Sequence, residues 1–478
     1  MAPRYQSIAV IGAGPSGISA VKALKDENIF QTIRLFERRD KVGGIWHLDE
    51  EPDQFPSQVP SNQQRGTIPA RLPSLEPPAP EDLTARTAIY EGLDSNVGAK
   101  AMSFTHTPFP EKNSASSARN FGRLNPTRPF RVVRKYLEDL FQDYLHLASL
   151  NTTVEKVEKI DQKWHLTLRQ TGHSDGGSPR DYWWQEQFDA VVVASGHYSV
   201  PFVPLVRGLG AAAQRYPTVF EHSKEFRKAD DYVDKRVVVV GGSVSSADLV
   251  ADLHAIVRGS LELSQRGINE ALQSAWNLPN VKARPTIKEF QATEEGINVI
   301  FSDNSVVEKV DKVIFATGYK LSYPFIVPDP VTANNRISGF YQHIFKIGDP
   351  SLALVGQVRA GISFRVYEYQ AVAVARYFAG RNAVPLPTPQ EQDLWEVKRL
   401  QYKGPTALFH EIKPDFSEYF AFLTELAGPP ASGTDGYELP PWEDRWAEQA
   451  FEILQSKDRY WKSLRRAADD ERPLAAKL

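Results

Sequence analysis

The chain has 478 residues, a net charge of −3, 41% hydrophobic residues and no cysteine. Such a length exceeds one hydrophobic core, so two or three domains are expected, and the near-neutral charge leaves no electrostatic footprint for nucleic acid or an anionic membrane. The missing cysteines exclude disulfides, Cys-ligated zinc, iron–sulfur clusters and a redox-active dithiol; no apolar run is long enough to span a bilayer, and the first strand leaves no room for a leader.

Residues 8–11 are a β-branched run that turns through Gly12-Ala13-Gly14-Pro15-Ser16-Gly17 into a helix carrying Ile18, Val21, Ala23 and Leu24 on one face. A second strand, residues 33–36, ends at Glu37. In such a βαβ unit Gly12 permits the tight turn, Gly14 lets the backbone approach a pyrophosphate, and Gly17 lets helix and strand pack closely. The helix N-terminus favours the phosphate charge, and Glu37 is placed to accept from a ribose diol. Arg38-Arg39 and Gly43-Gly44-Ile45-Trp46 follow, a second glycine pair open to close backbone approach.

Residues 52–83 are rich in proline, serine and glutamine and read as a long surface excursion. Residues 131–147 carry apolar side chains at helical spacing. Strands are expected at 154–160 and 164–168, then a loop containing Gly172, Gly176, Gly177 and Pro179, then a strand at 183–188. The run that follows is apolar on both faces, as a central parallel strand must be, and ends at Ser195-Gly196.

A second βαβ unit begins at Arg236. Its strand is 237–240, its turn Gly241-Gly242-Ser243-Val244-Ser245-Ser246, and its helix carries Leu249, Val250, Leu253 and Ile256. Ser243 and Ser246 replace the second and third glycines of the motif, and a serine hydroxyl can donate to phosphate. The next strand, 261–264, is followed by Gln265-Arg266-Gly267. An acid there would suit the 2′-hydroxyl of NAD, whereas arginine accommodates the 2′-phosphate of NADP. Residues 312–319 form a buried strand running into Thr317-Gly318, 352–356 a last strand, and 364–378 a helix with Glu368 and Gln370. Residues 389–464 read as helical, with Trp395, Trp442, Trp446 and Trp461 as packing anchors.

Taken together, GAGPSG, GGIW, the segment bearing Tyr90, Leu93, Ser95, Asn96, Met102, Phe104 and Pro108-Phe109-Pro110, then SGHYSVP, GGSVSSAD and FATGYKLSYPF resemble the class B flavin-dependent monooxygenases, the flavin-containing monooxygenase family, over residues 5–380. Gly98 departs from that pattern, standing where the family often has proline. Tyr216, Thr218, His222 and Phe226 resemble the family's F-x-G-x-x-x-H-x-x-x-[YF] with the first aromatic and the glycine changed. Baeyer–Villiger enzymes carry tryptophan then proline or aspartate at its end, so Phe226-Arg227 argues for heteroatom oxidation.

The resemblance implies an α/β fold with two Rossmann-like dinucleotide-binding domains, the NADP domain inserted into the FAD domain, plus a helical C-terminal extension. The implied boundaries are 1–205 and 326–385 for FAD, 206–325 for NADP and 386–478 for the extension. It also implies that NADPH reduces FAD, that O₂ adds to the reduced flavin, and that a C4a-hydroperoxyflavin oxygenates a nucleophilic nitrogen or sulfur of a small molecule. Asn96 is the implied catalytic side chain, since an amide offers two donors and an acceptor without a titrating proton. The residues implied to hold the cofactors are Gly12, Gly14, Pro15, Ser16, Gly17, Glu37, Arg38, Gly44, Ile45, Trp46, Asn96, Val97, Val154, His222, Gly241, Ser243, Ser245, Ser246, Ala247, Asp248, Arg266, Thr317, Gly318 and Gln357.

No metal, nucleic acid or membrane is expected, and a homodimer stays open. The expected location is the cytoplasm, with Ala476-Lys477-Leu478 resembling an SKL-type peroxisomal address. Three alternatives remain at this stage: a Baeyer–Villiger enzyme, an NADPH oxidase or electron-transfer flavoprotein, and an FAD-binding redox sensor or scaffold.

Overall fold

Runs that are apolar on both faces become the central strands of parallel sheets, and this chain has two sets of them. A computed structural model describes residues 3–56, 66–80, 82, 84–267 and 269–475. Within them, Ser7–Ile11 lies inside a seven-stranded sheet, paired in parallel with Thr32–Phe36 on one side and Ala190–Val193 on the other. Leu352–Leu354 continues the parallel order beyond Ala190–Val193. The helices Pro15–Asp26 and Phe364–Ala379 cover one face, burying Ile18, Leu24, Val366 and Tyr369. The other face packs Ala9, Ile11, Val191 and Val193 against Trp164, Leu166 and Phe188 of an antiparallel sheet.

The second set forms a five-stranded parallel sheet in the order Phe220–His222, Lys312–Phe315, Val237–Val240, Leu261–Ser264, Val281–Arg284. The helix Val244–Leu253 covers one face, and the antiparallel strands Ile287–Ala292, Ile297–Phe301 and Val306–Val310 cover the other. The chain enters this module after Val200–Pro201 and leaves it at Tyr319–Lys320, and these two segments pair antiparallel with each other. Entry and exit are thus tied side by side.

Two expectations need correction. The Gly/Pro-containing stretch near 172–179 is not a loop: Lys163–Asp175 and Ser178–Phe188 run on as one hairpin, with Asp175 opposite Ser178. Gly176 and Gly177 alone make the turn, with φ of +54° and +87°, the left-handed geometry that two-residue hairpin turns demand. The excursion over 52–83 is also more than surface. Ser74–Glu76 adds an edge strand to this sheet, with Ser74 opposite Trp183. Phe55 stacks on Phe220 and Phe315 at 6.1 and 5.8 Å. Asp53 takes a buried ion pair from Lys224 at 2.5 Å, where the amine also donates to the carbonyls of Thr84 at 3.0 Å and Ser199 at 2.8 Å. Proline-rich composition hides these anchors because each is a single long-range contact without periodicity. Residues 57–65 and the terminal tripeptide lie outside the described residues.

After the last sheet strand come the helices Pro389–Lys403, Phe416–Ala427 and Arg445–Ala475. Trp442 and Trp446 pack with Phe420 on the first module's core, whereas Trp461 enters the second's. No described helix is long and apolar enough to cross a membrane.

The Lys224 amine is 1% exposed and its acid partner 6%, so removing one member leaves the other charged and dry. Lys224→Met should cost about 3–5 kcal/mol in urea unfolding, and adding Asp53→Asn should recover a substantial part; equal stability of wild type and Lys224→Met would refute this.

Candidate functional site

The carboxyl ends of both parallel sheets open onto one cavity of about 2040 Å³, well beyond the roughly 300–1,000 Å³ of an ordinary small-molecule pocket. Ligands of open α/β sheets bind at this edge, where the strand order reverses.

At the first module, Gly12 has φ of +102°, and a Cβ there would stand 2.7 Å from the Ala194 carbonyl. Gly17 faces the Gly12 carbonyl oxygen so closely that any Cβ would overlap it. Gly44, at φ of +60°, lies on Gly14: a Cβ on Gly44 would meet the Gly14 Cα at 2.8 Å. The helix that begins at Pro15 has no side-chain cap, so its first N–H groups are left for an anion from the cavity. Pro15, Ser16, Ile45, Trp46, Val97 and Val154 line the same end. Trp46 meets Phe364 edge-on at 6.1 Å. Glu37 is 6% exposed and accepts from Ala13 N at 2.7 Å and Arg39 N at 2.9 Å, which fixes its carboxylate beside the turn. Arg38 lines the cavity while paired with Asp82 at 2.8 Å.

At the second module Gly241, with φ of +142°, packs under the Ala316 carbonyl. Ser243 and Ser245 are exposed on the cavity, with Asp248, Arg266, Thr317 and Gly318 around them. Arg266 is exposed, and its guanidinium has no hydrogen bond or ion pair among the described residues. Asn96 stands exposed between the two modules. Its neighbour Ser95 is buried, donating from N to the Arg128 carbonyl at 2.8 Å and accepting Arg128 N on its hydroxyl at 3.0 Å.

Five of the sequence candidates do not reach the cavity. Gly17 acts within the turn, as described. Ala247 is buried in the second module's core. Ser246 spends its hydroxyl locally, donating to Ser243 O at 2.7 Å and accepting from Ser243 N at 3.0 Å, so of the turn's serines Ser243 and Ser245 are the ones that line the cavity. His222 is fully buried, accepting Lys224 N on Nδ1 at 3.1 Å and donating from Nε2 to Gly318 O at 3.0 Å. It lies behind the cavity wall, bonded to the Thr317-Gly318 turn. Gln357, 2% exposed, accepts from the Tyr323 hydroxyl and leaves its Nε2 without a partner.

A dinucleotide fits these features. The bare Gly12–Gly14–Gly44 surface admits a pyrophosphate, and the uncapped helix welcomes its charge. Among the described residues no cluster suited to a metal ion occurs. Sequence reasoning missed several lining residues: Tyr198, Arg359, Leu408, Ala450 and Phe451. The last three come from the C-terminal region, whose helical period marks packing but not which turn meets a cavity.

Glycine substitutions separate packing from ligand space. Gly14→Ala meets only ordinary contact with Gly44, at 3.5 Å, so it should fold normally yet purify with less flavin. Gly17→Ala should lower thermal stability as well, read by thermal unfolding of flavin-free protein. Burial lowers the His222 pKa from 6.5 to about 3. Between those values the unfolded chain binds a proton that the folded chain refuses, so stability falls with falling pH by roughly 1.4 kcal/mol per pH unit for this residue. His222→Gln should show a shallower loss between pH 6.5 and 5; an unchanged slope would contradict the assignment.

Two family models match: Flavin-binding monooxygenase-like over residues 5–60 and 256–429, and Pyridine nucleotide-disulphide oxidoreductase over 113–342. The dithiol chemistry in the second name is closed to a chain without cysteine. The flavin-containing monooxygenase iboF of Amanita muscaria is 28% identical, over 87% of this chain and 85% of its own length. The flavin-containing monooxygenase FMO GS-OX5 of Arabidopsis thaliana is also 28% identical, over 89% and 85%. Among solved structures, S-allyl-L-cysteine S-oxygenase from Allium sativum superposes with a TM-score of 0.73 at 24% identity, covering 99% of both chains. Tmm from Pelagibacter sp. reaches 0.67 at 19% identity, over 96% of this chain and 90% of that one. With the paired glycine turns opening onto one cavity, these matches support a flavin-dependent monooxygenase family for this chain.

Proposed function

We propose that this protein is an NADPH- and O₂-dependent monooxygenase that uses FAD to oxygenate a nucleophilic nitrogen or sulfur of a small molecule. The observation that carries the reading is Asn96, an exposed amide in the cavity onto which both glycine turns open. FAD, when bound, supplies hydride acceptance from NADPH and activation of O₂. The residues of this chain bind, orient and exclude water. The first helix N-terminus and the Gly14–Gly44 surface take the FAD pyrophosphate, and Glu37 its ribose. Ser243, Ser245 and the second helix take the NADPH phosphates, and Arg266 the 2′-phosphate. Asn96 would hold the reacting end through an amide that offers two donors and an acceptor without a titrating proton.

The domain division proposed with this reading is 1–205 and 326–385 for FAD, 206–325 for NADP and 386–478 for the extension; the paired segments Val200–Pro201 and Tyr319–Lys320 support an insertion there. Phe226-Arg227 supports heteroatom oxidation over ketone insertion. Arg227 is spent as a strut, donating to the carbonyls of Asp49 at 2.7 Å, Lys224 at 2.9 Å, Phe226 at 3.0 Å and Thr87 at 3.2 Å. The solved neighbour named as an S-oxygenase keeps sulfur in the reading; its likeness is one of fold and does not choose between sulfur and nitrogen.

Arg266→Ala should weaken NADPH roughly tenfold while sparing NADH, the lower end of a charge-assisted pair because the side chain is exposed. Reduction kinetics with both nucleotides test it, and equal losses would count against the 2′-phosphate role. Asn96→Ala should keep its flavin and its reduction rate but release more H₂O₂ per NADPH oxidised, since one preorganised hydrogen bond is worth about 2–4 kcal/mol. Unchanged coupling to a substrate would remove Asn96 from the mechanism.

A further inference from the structure

The departure from the resembled family at Gly98 has a physical cause. Gly98 N donates to the carbonyl of Ala450, in the helix Arg445–Ala475, at 3.0 Å. A Cβ on Gly98 would overlap the neighbouring Gln449 carbonyl. Its φ of −61° is open to any residue, so glycine is required by the approach of the helix and not by backbone conformation. Proline, without an N–H, would lose the hydrogen bond as well. A carbonyl has two lone pairs, so Ala450 can accept this bond without leaving its helix.

Asn96 therefore sits between two fixed points. Upstream, Ser95 is locked to Arg128 by the two hydrogen bonds given above. Downstream, Gly98 is locked to the C-terminal helix and caps the short helix Ala99–Met102. Asn96 itself has no hydrogen bond among the described residues, so its placement comes from these neighbours. The same helix reaches both modules. Trp446 and Ala450 belong to the first module's core, Trp461 to the second's, and Lys457 pairs with Asp248 of the helix Val244–Leu253 at 2.5 Å. Phe451, next to Ala450, lines the cavity with Asn96.

We propose that the C-terminal helix is a positioning strap for Asn96: the Gly98–Ala450 contact sets where the amide stands, and Lys457–Asp248 ties that setting to the seating of the nicotinamide module. The proposal rests on the monooxygenase reading for its effect on coupling, while the structural link is tested without it. In the full-length holoenzyme, Gly98→Ala should keep FAD and be reduced by NADPH at the wild-type rate. It should release about 10- to 100-fold more H₂O₂ per product formed, the scale of a displacement near 1 Å at a reacting centre. Combined with Asn96→Ala it should be no worse than Asn96→Ala alone, because the two act through one group. In flavin-free protein, amide hydrogen exchange over residues 95–103 should accelerate.

Additive losses in the double variant, or wild-type coupling and exchange in Gly98→Ala, would overturn the strap. If Gly98→Ala does not fold, Lys457→Gln decides: faster exchange over 95–103, restored by Lys457→Arg, supports the proposal, and wild-type exchange overturns it. Faster exchange with coupling unaffected by Asn96→Ala would keep the strap and sink the catalytic role of Asn96.

Discussion

The site depends on backbone meeting backbone where no side chain fits. Gly17 lies on the carbonyl of Gly12, Gly44 on Gly14, and Gly241 on the carbonyl of Ala316. Gly356 lies so close to the Ser16 hydroxyl that a Cβ there would overlap it. Each contact brings a strand end and a turn to within van der Waals distance of its neighbour, and at the first helix, which has no side-chain cap, the first N–H groups are left for a ligand. Negative ligand charge is stabilised there by free donors and the helix dipole together. Were these contacts filled by methyl groups, the turns would open and the donors diverge.

A second layer of polar struts holds the two modules in register around that surface. His222, from the second module's edge strand, donates to Gly318 within that module. Lys224 reaches across to Asp53, Thr84 and Ser199 of the first module, and Arg227 to Asp49 and Thr87. Phe226 meets Tyr90 edge-on at 5.1 Å, so one short segment carries ionic, amide and aromatic links between modules. Buried and water-poor, these groups must be fully satisfied or they destabilise the fold. The segment that resembles a family signature thus bonds the two modules together. Ser243, Ser245, Arg266 and Asn96 are instead exposed on the cavity.

The C-terminal helix adds a third kind of constraint, since it closes the cavity with Ala450 and Phe451 while packing its tryptophans into both cores. A wall built this way varies with the surface of one helix and leaves the nucleotide turns untouched.

Local sequence determined the elements whose cause is local. The strand–turn–helix units at Gly12 and Gly241, the buried strands and the helix Phe364–Ala379 follow from β-branched runs, glycine spacing and helical period, and they appear within a residue or two of their expected limits. Gly12, Gly14, Gly241 and Arg266 were singled out on the same local grounds, and they line the cavity. Only the tertiary structure decided the rest. No spacing rule links Asp53 to Lys224 or Gly98 to Ala450, because those contacts join segments 171 residues apart in one case and an Asn-bearing loop to a distant helix in the other. His222 was singled out by resemblance to a family motif and Ser246 by its place in the glycine turn, and the packed chain buries both with their polar atoms bonded to neighbouring backbone. Periodicity shows which helix face is apolar, and the packed chain alone shows what that face meets.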